Sequence, residues 1–194
     1  MHSLTTSFVL GYHGCSRSVA DDLLAGKPFN QSENPWDWLG SGVYFWESNP
    51  SRGLEFYREV CQRKRQDDSD AAVVGAVIDL GFCLDMATSS GVAAICKAHR
   101  DMKEVFKALG KPMPKNILGK DLLRRNLDCA VINYLHGSRR DGKLEAFDSV
   151  RGVFIEGRRA YPGAGFYKNT HVQISVCNPE KIRGVFRVPP GDLL

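Results

Sequence analysis

The stretch "DWLGSGVYFWES", residues 37–48, sets four large aromatic side chains around two glycines. Gly40 and Gly42 allow a sharp turn into a following strand, because glycine adopts backbone conformations that other residues avoid. Successive side chains of a strand point to opposite faces, so Tyr44 and Phe45 are expected on different sides of a sheet. Two interpretations fit the pattern: the aromatic residues fill the core, or Tyr44 presents its ring to a cleft.

The composition indicates one globular domain, residues 1–194. This length is enough to bury a sizeable core, and 43% of the residues are hydrophobic and 25% charged. The formal net charge of +4 permits an anionic partner without requiring one. The amino terminus lacks the basic segment of a signal peptide, and no apolar stretch approaches the roughly 18 residues of a membrane span. We therefore expect a cytoplasmic protein with no membrane partner.

The cysteines are spread along the chain without paired spacing or a cluster with histidine. This spacing indicates neither a structural zinc site nor a disulfide framework. Reduced thiols and the absence of a metal are therefore expected. The six cysteines are Cys15, Cys61, Cys83, Cys96, Cys129 and Cys177.

Helical and strand patterns are mixed along the chain without a regular strand–helix–strand repeat. Asn49, followed by Pro50, is expected to begin a helix. Residues 72–86 are β-branched and continuous, which predicts a central strand followed by a turn. A helical insertion is expected over roughly 89–140, with its last helix ending at Gly137. The fold class is therefore α+β, with a mostly antiparallel or split sheet.

The segment "GYHGCS", residues 11–16, places a histidine at the end of a buried strand pattern. A histidine in this position often makes only a structural hydrogen bond. Gly14 makes a binding role more specific, because glycine lets the backbone approach a planar ligand closely. Its amide N–H and carbonyl would then face a carboxamide, while His13 would stand beside it.

A late segment, "HVQISV", residues 171–176, has polar and apolar side chains in alternation. Strand geometry puts His171, Gln173 and Ser175 on one face. Such a polar row usually faces solvent, but it also suits a strand that lines a cleft. The preceding segment "YPGAGFYKNT" is long and aromatic, as binding loops often are.

Taken in order, "YHG", "GSGVYF" and the "QISV" strand resemble the ADP-ribosyltransferase superfamily, in the branch of diphtheria toxin and the poly(ADP-ribose) polymerases, with its His–Tyr–Glu triad. The small bacterial "YHG…GxYFWE" proteins look most similar. The likeness covers about the first 60 and the last 45 residues. It implies a split antiparallel sheet core with flanking helices, and NAD⁺ as a substrate. ADP-ribose would pass to a macromolecular acceptor, as in a bacterial toxin or defence effector with an antitoxin or immunity partner.

The resemblance also implies roles for individual residues. His13 would bond a ribose hydroxyl, and the backbone of Gly14 would pair with the nicotinamide carboxamide. Tyr44 would stack on the nicotinamide ring, with a second aromatic from Phe56 or, as a rival, Tyr57. Breaking this glycosidic bond builds oxocarbenium character on the ribose. The protein would act by positioning and electrostatic preorganisation, without a nucleophilic side chain.

Gln173 takes the place of the family's glutamate and completes the implied catalytic set with His13 and Tyr44. A neutral amide cannot act as a base, so chain elongation is not expected. Three alternatives stay open: transfer of one ADP-ribose to a good nucleophile, a substitute acid at Glu156 or Glu47, or NAD binding without turnover in an interaction module. A residue placed like Glu156 is usually just an exposed charge at the end of a strand. A residue placed like Glu47 usually complements the positive end of the following helix.

Basic clusters recur at "CQRKRQ", "LLRRN", "GSRRDGK" and "EGRRAYPG". Each is most often a solvated face, yet together they would form one positive surface, or bind the NAD pyrophosphate. Basic side chains interleaved with aromatic ones suit unpaired nucleotides. The expected acceptor is a protein or a nucleic acid, with a small molecule left open, and a nucleic-acid-binding domain that does not use NAD is a further alternative. The acceptor loop, about 158–170, contains Arg158, Arg159, Tyr161, Phe166 and Tyr167.

Overall fold

The computed structural model describes residues 8–117, 119 and 122–193. Seven strands of this part of the chain form one mostly antiparallel sheet, and four α-helices pack against it. The α+β expectation is thereby confirmed. Residues 1–7, on which the expectation about a signal peptide depends, lie outside the described residues. Within the described residues, no helix is both long and apolar enough to cross a membrane.

The strands and helices are numbered in chain order. The strands are β1 (Phe8–Ser16), β2 (Val43–Glu47), β3 (Ala71–Asp79), β4 (Cys83–Asp85), β5 (Asn116–Ile117), β6 (Arg124–Arg125), β7 (Ser149–Phe154), β8 (His171–Val176) and β9 (Ile182–Arg187). The helices are α1 (Arg17–Leu24), α2 (Pro50–Lys64), α3 (Ser89–Ala108) and α4 (Asn126–Asp141). Short 3-10 turns span Pro179–Lys181 and Pro190–Leu193.

The large sheet has the order β4-β7-β8-β2-β1-β3-β9, and only the β4–β7 pair is parallel. Strand β2 lies at the centre. The expectation of a central strand over residues 72–86 is wrong in this respect, because β3 stands next to the edge strand β9. Its apolar run is instead explained by helices on both faces, since β3 contacts α1 on one face and α2 on the other.

The ladder between β1 and β2 is short. The two strands pair only at Gly11–Glu47 and Tyr12–Trp46, whereas β1 pairs with β3 along nine residues. Beyond the second pair, His13 Nδ1 donates a hydrogen bond to Tyr44 O at 2.8 Å. A side chain thus takes the carbonyl that a continuing ladder would have bonded. The β1–β2 ladder therefore ends after two residue pairs, within one seven-stranded sheet.

Both faces of the sheet are covered. The first face carries α1, and the second carries α2 with the α3–α4 pair. Because cross-strand partners share a face, the register assigns Tyr44, Trp46 and Gln173 to the second face. Phe45 and Ile174 belong to the first face and are fully buried. The predicted alternation of β2 is confirmed, although neither of its faces is open to solvent as a whole.

The region 89–141 is part of the core of the protein. Ile132 of α4 packs with Leu39 and with Leu84 and Val150 of the sheet. The helix does not end at Gly137, as the sequence suggested, but continues to Asp141. An interior glycine costs a helix about 1 kcal/mol, and the buried contacts of α4 outweigh that cost.

The two glycines before β2 make the predicted turn, and protein atoms occupy the space beside them. Gly40 has a φ of +74°, and a Cβ there would lie 2.6 Å from Asn133 Oδ1 of α4. A Cβ at Gly42 would lie 2.3 Å from Ser175 Oγ of β8. These glycines therefore allow α4 and β8 to approach the turn.

Helix α2 begins as predicted. The Asn49 side chain accepts a hydrogen bond from Arg52 N at 3.0 Å, and Pro50 occupies the first turn. This cap satisfies one backbone donor that the first turn of a helix leaves free. It also directs the first residues of α2 across β1 and β2.

Candidate functional site

The three sequence motifs lie on the adjacent strands β1, β2 and β8. Tyr44 pairs with Ser175, and Trp46 with Gln173, so these side chains share the second face. Gly14 belongs to the same face, because it stands two residues after Tyr12, which pairs with Trp46. His13 is one residue out of phase, and its side chain lies on the first face.

His13 is enclosed by aromatic rings of the first face. Its ring centroid lies 5.4 Å from that of Phe29 and 5.8 Å from that of Phe45. Burial lowers the pKa of His13, and the bond to Tyr44 O opposes this effect. The imidazole is therefore neutral at pH 7, with its proton on Nδ1. Its side chain does not converge with that of Gln173, contrary to the expectation that one ribose would contact both.

Tyr44 closes the turn that precedes its own strand. Its hydroxyl donates to Gly40 O at 2.6 Å and accepts from Leu39 N at 2.8 Å. Burial raises the pKa of Tyr44 well above its ordinary range, so the phenol stays neutral. The ring packs against the core cluster that contains Leu39. The stacking role that the resemblance implies for this half-buried ring stays a prediction.

Helix α2 lies directly on Gly14. A Cβ at this position would stand 2.0 Å from Gly53 O and 3.1 Å from the Cβ of Tyr57. The glycine is therefore required by the helix, whether or not a ligand also approaches it. Burial and a bond to Cys61 raise the pKa of Tyr57 to about 12. Phe56 points elsewhere and packs on Trp46, with 4.7 Å between ring centroids.

Beside Trp46, the second face holds a group of buried polar side chains, which we call the polar cluster. Trp46 and Gln173 are cross-strand neighbours, and His171 lies two residues before Gln173 on the same face of β8. Arg52 comes from the first turn of α2, and Glu156 from the segment after β7. Each of the five residues is between 2% and 7% exposed. The members are Trp46, Arg52, Glu156, His171 and Gln173.

The charges of the polar cluster compensate one another. Arg52 donates to Glu59 Oε1 at 3.0 Å, and its second terminal nitrogen lies 3.6 Å from Glu156 Oε2. The same carboxylate oxygen lies 3.4 Å from His171 Nδ1. A buried carboxylate requires such neighbours, since an isolated charge is strongly unfavourable away from water. Glu156 is thus not the exposed strand-end charge that its sequence position suggested.

The protonation of His171 follows from its contacts. Burial lowers the pKa of His171 to about 4; the bond to Asn169 O opposes this, while Arg52 and Arg125 add to it. The ring is neutral at pH 7. A carbonyl oxygen only accepts, so Nδ1, at 2.7 Å from Asn169 O, carries the proton. His171 Nε2 therefore presents a bare lone pair.

Four buried polar atoms of the cluster have no hydrogen-bond partner among the described residues: Trp46 Nε1, Arg52 Nε, His171 Nε2 and Gln173 Oε1. The first two are donors and the last two acceptors. Each such atom left without a partner costs about 1–3 kcal/mol. Hydroxyl groups suit this set best, because a hydroxyl both donates and accepts. Two hydroxyls of a sugar, or ordered waters, would satisfy all four atoms.

Glu47 has a different environment from Glu156. Its two carboxylate oxygens accept from Arg151 at 2.6 and 3.0 Å, and Arg151 also reaches Asp85 at 3.2 Å. Arg151 pairs with Ile174 across the ladder, which places this ion network on the first face. Of the two acids considered as substitutes, the structure brings Glu156 to Gln173 and leaves Glu47 on the other side of the sheet.

The predicted acceptor loop extends the β7–β8 hairpin. Backbone bonds join Lys168 N to Arg158 O at 3.0 Å and Ala160 N to Phe166 O at 2.9 Å. Arg159 stabilises the hairpin, since it bonds to Ala164 O and lies over the Tyr167 ring at 5.4 Å. Arg158, Arg159, Tyr161 and Phe166 are exposed, and Tyr167 is half-buried. Two of the five predicted loop residues, Arg159 and Tyr167, thus hold the hairpin together.

Sequence reasoning missed Arg52 and gave no role to Trp46 or His171. The signal for His171 was present, because it precedes Gln173 by two residues on the polar face of one strand. Nothing in the sequence marks Arg52, whose burial depends on where α2 crosses the sheet. The described residues contain no group of three or more histidine, cysteine, aspartate or glutamate side chains placed to hold a metal ion.

A separate groove of about 330 Å³ lies between α3 and α4, away from the polar cluster. Its walls are largely apolar, from Ile95, Val131 and Ile132, with His99 and Arg100 at its side. None of the predicted site residues lines it.

Comparison with curated proteins finds an uncharacterized protein of Methanocaldococcus jannaschii that is 26% identical over 191 residues. The match covers 89% of this chain and 83% of the archaeal protein. No protein-family model matches the chain, and no solved structure matches it. The similarity therefore extends over nearly the whole domain, and the name of the relative carries no function.

Proposed function

We propose that the protein cleaves the nicotinamide–ribose bond of NAD⁺ and transfers ADP-ribose to a macromolecular acceptor in the cytoplasm, on an ADP-ribosyltransferase-like fold. The observation that carries the proposal is the juxtaposition of the motif strands β1, β2 and β8, with four unpartnered polar atoms where β2 and β8 meet. Two donors and two acceptors match the hydroxyls of a ribose. The resemblance of the motifs supports the same substrate.

In this proposal the polar cluster holds the nicotinamide-side ribose. Trp46 Nε1 and Arg52 Nε donate to its hydroxyl oxygens, while His171 Nε2 and Gln173 Oε1 accept its hydroxyl protons. The four atoms are shielded from solvent. Entry of the ribose therefore requires the side chains that cover them, such as Phe56 on Trp46, to move aside.

The nicotinamide then lies where the β1–β2 ladder ends. There Gly14 offers its backbone to the carboxamide, and the Tyr44 ring offers a stacking surface. Cleavage develops positive charge on the ribose ring. The carboxylate of Glu156, already within the cluster, supplies the negative charge that Gln173 lacks. The protein contributes orientation and electrostatics, and the acceptor supplies the nucleophile.

The test is to incubate the protein with NAD⁺ labelled on the adenine and to measure nicotinamide release and labelled acceptor. Gln173→Met removes Oε1 at nearly constant volume and should reduce release about 5- to 30-fold, the equivalent of one buried hydrogen bond. Gln62→Met, on the exposed surface of α2, is the matched control and should retain activity. Absence of both NAD binding and nicotinamide release in the unmodified protein would refute the proposal.

A non-catalytic NAD-binding module is the second candidate, and the neutral Gln173 favours it. Calorimetric binding of NAD⁺ without release of nicotinamide selects this candidate. Gln173→Glu then provides a further distinction. If the rest of the site can support catalysis, restoring a carboxylate should create or increase nicotinamide release. If it cannot, the variant should bind NAD⁺ and release no nicotinamide.

A further inference from the structure

The surface beyond the carboxyl end of β7 combines exposed aromatic rings with positive charges. Trp36 is 39% exposed, and the Arg124 guanidinium lies over its ring at 5.1 Å. On the hairpin that extends β7 and β8, Tyr161 is 58% and Phe166 72% exposed. Single exposed apolar side chains are ordinary, but exposed aromatic rings grouped beside positive charges are typical of a binding surface.

Contacts within the fold connect the two groups of side chains. The Trp36 carbonyl accepts from Arg125 N at 3.4 Å, and the Arg125 guanidinium lies 4.9 Å from the centre of the Phe154 ring. Phe154 is the last residue of β7, and the hairpin stem begins two residues later. The hairpin tip is reached at Tyr161, roughly 20 Å along the strand from Phe154 at the usual rise per residue. We call the surface defined by Trp36, Arg124, Arg158, Tyr161, Phe166 and Lys168 the stacking surface.

The positive charges of the stacking surface are available to a partner. No carboxylate in the described part of the chain pairs with Arg124, Arg158 or Lys168. Elsewhere in the same residues, Arg52, Arg151 and Arg183 are each bound to carboxylates. The partner that fits is an anion carrying flat rings.

We propose that the stacking surface binds single-stranded nucleic acid. Unpaired bases stack on Trp36, Tyr161 and Phe166, and the phosphates lie along the three cations. A duplex does not fit, because its bases are already stacked on one another. An acidic protein would use the cations but has no need of three exposed rings. The hairpin also ends at Asn169 and Thr170, directly before the polar cluster, so the surface leads a strand toward the site.

The role of the stacking surface as the acceptor site rests on the proposed function. Its binding of single-stranded nucleic acid does not depend on that function. Binding is therefore measured first in the absence of NAD⁺. The assay is fluorescence anisotropy with a labelled single strand of about ten nucleotides, as RNA and as DNA, a length within the range that single-strand sites occupy. With three phosphate contacts, the logarithm of affinity should fall with that of salt with a slope of about −2.

Phe166→Ala and Trp36→Ala should each weaken binding roughly tenfold or more, since each removes a stacking platform. Arg158→Ala should reduce the salt slope by about 0.7. The matched controls lie on α3 and just beyond it, at exposed Lys103 and Leu109. Lys103→Ala and Leu109→Ala should leave affinity and slope unchanged.

Equal affinity for the duplex form of the same sequence, or for polyglutamate, would overturn the proposal. So would unchanged affinity in Phe166→Ala together with Trp36→Ala. Addition of NAD⁺ then tests separately whether the surface binds nucleic acid and whether ADP-ribose is transferred to it. ADP-ribose attached to the bound strand supports both, whereas binding without attachment supports the surface and counts against transfer to nucleic acid.

Discussion

Removing the hydroxyl of Tyr44 should destabilise the protein although only one oxygen atom is lost. In Tyr44→Phe, the buried amide of Leu39 loses its acceptor and Gly40 O loses its donor. Leu39 is only 1% exposed, so water cannot replace the lost partner in the folded state. Two lost bonds, with groups left unsatisfied, amount to about 2–4 kcal/mol. This is a large part of the 5–15 kcal/mol that stabilises a typical domain.

The measurement is urea denaturation followed by tryptophan fluorescence or circular dichroism. With a slope of about 2 kcal/mol per molar urea, the midpoint should fall by about 1–2 M. Tyr161→Phe is the matched control, because Tyr161 is exposed and its hydroxyl has no bond within the described residues. Its midpoint should stay within about 0.2 M of the unmodified protein. A shift in Tyr44→Phe as small as that of the control would refute the structural role of the hydroxyl.

Three other outcomes are expected. Gly14→Ala should lower the thermal midpoint by many degrees or prevent folding, because its Cβ would stand 2.0 Å from Gly53 O. Gly163→Ala is the control: no atom lies near its Cβ, so it should show only the smaller cost of a φ of +80°. Burial lowers the pKa of His171 to about 4, so the unfolded chain, in which the pKa of histidine is about 6.5, takes up the proton at a higher pH than the folded protein does. This residue should therefore lower the free energy of unfolding by about 3 kcal/mol between pH 7 and pH 4. Denaturation of His171→Gln should show a smaller loss over this range. Asn49→Ala should cost about 1 kcal/mol in urea denaturation, through the lost cap of α2, and an unchanged midpoint would contradict that role.

Local patterns predicted much of the fold. The alternation in β2, the cap at Asn49 and the turn at Gly40 follow from backbone chemistry within a few residues, and each is present. The order of the strands does not follow from local patterns. Residues 72–86 look central because they are apolar, but burial of both faces also occurs next to a sheet edge when a helix covers each face, as α1 and α2 do for β3. The end of α4 was misplaced for a similar reason, since packing against the sheet overrides the weak preference of Gly137.

The site was harder to predict than the fold. Alternation along a strand shows which of its own side chains share a face. That Tyr44 of β2 and Gln173 of β8 share one face follows only from the register between the two strands. The same register separates His13 from them, which no reading of "YHG" alone could show. Arg52 and Glu156 lie 104 residues apart in the chain. Their contact depends on α2 crossing β2 close to the end of β7, a tertiary relation with no local signature.

The polar cluster is difficult to explain as a device for stability alone. A buried ion pair is often no more stabilising than apolar residues of similar volume, and this one is accompanied by four polar atoms without partners. At about 1–3 kcal/mol each, these atoms together oppose folding by an amount comparable with the net stability of a domain. Apolar side chains at Gln173 and His171 would remove two of the four. Retention of a cost of this size is expected where the atoms are needed by something that binds there, and the balance of two donors with two acceptors favours groups that both donate and accept, such as hydroxyls.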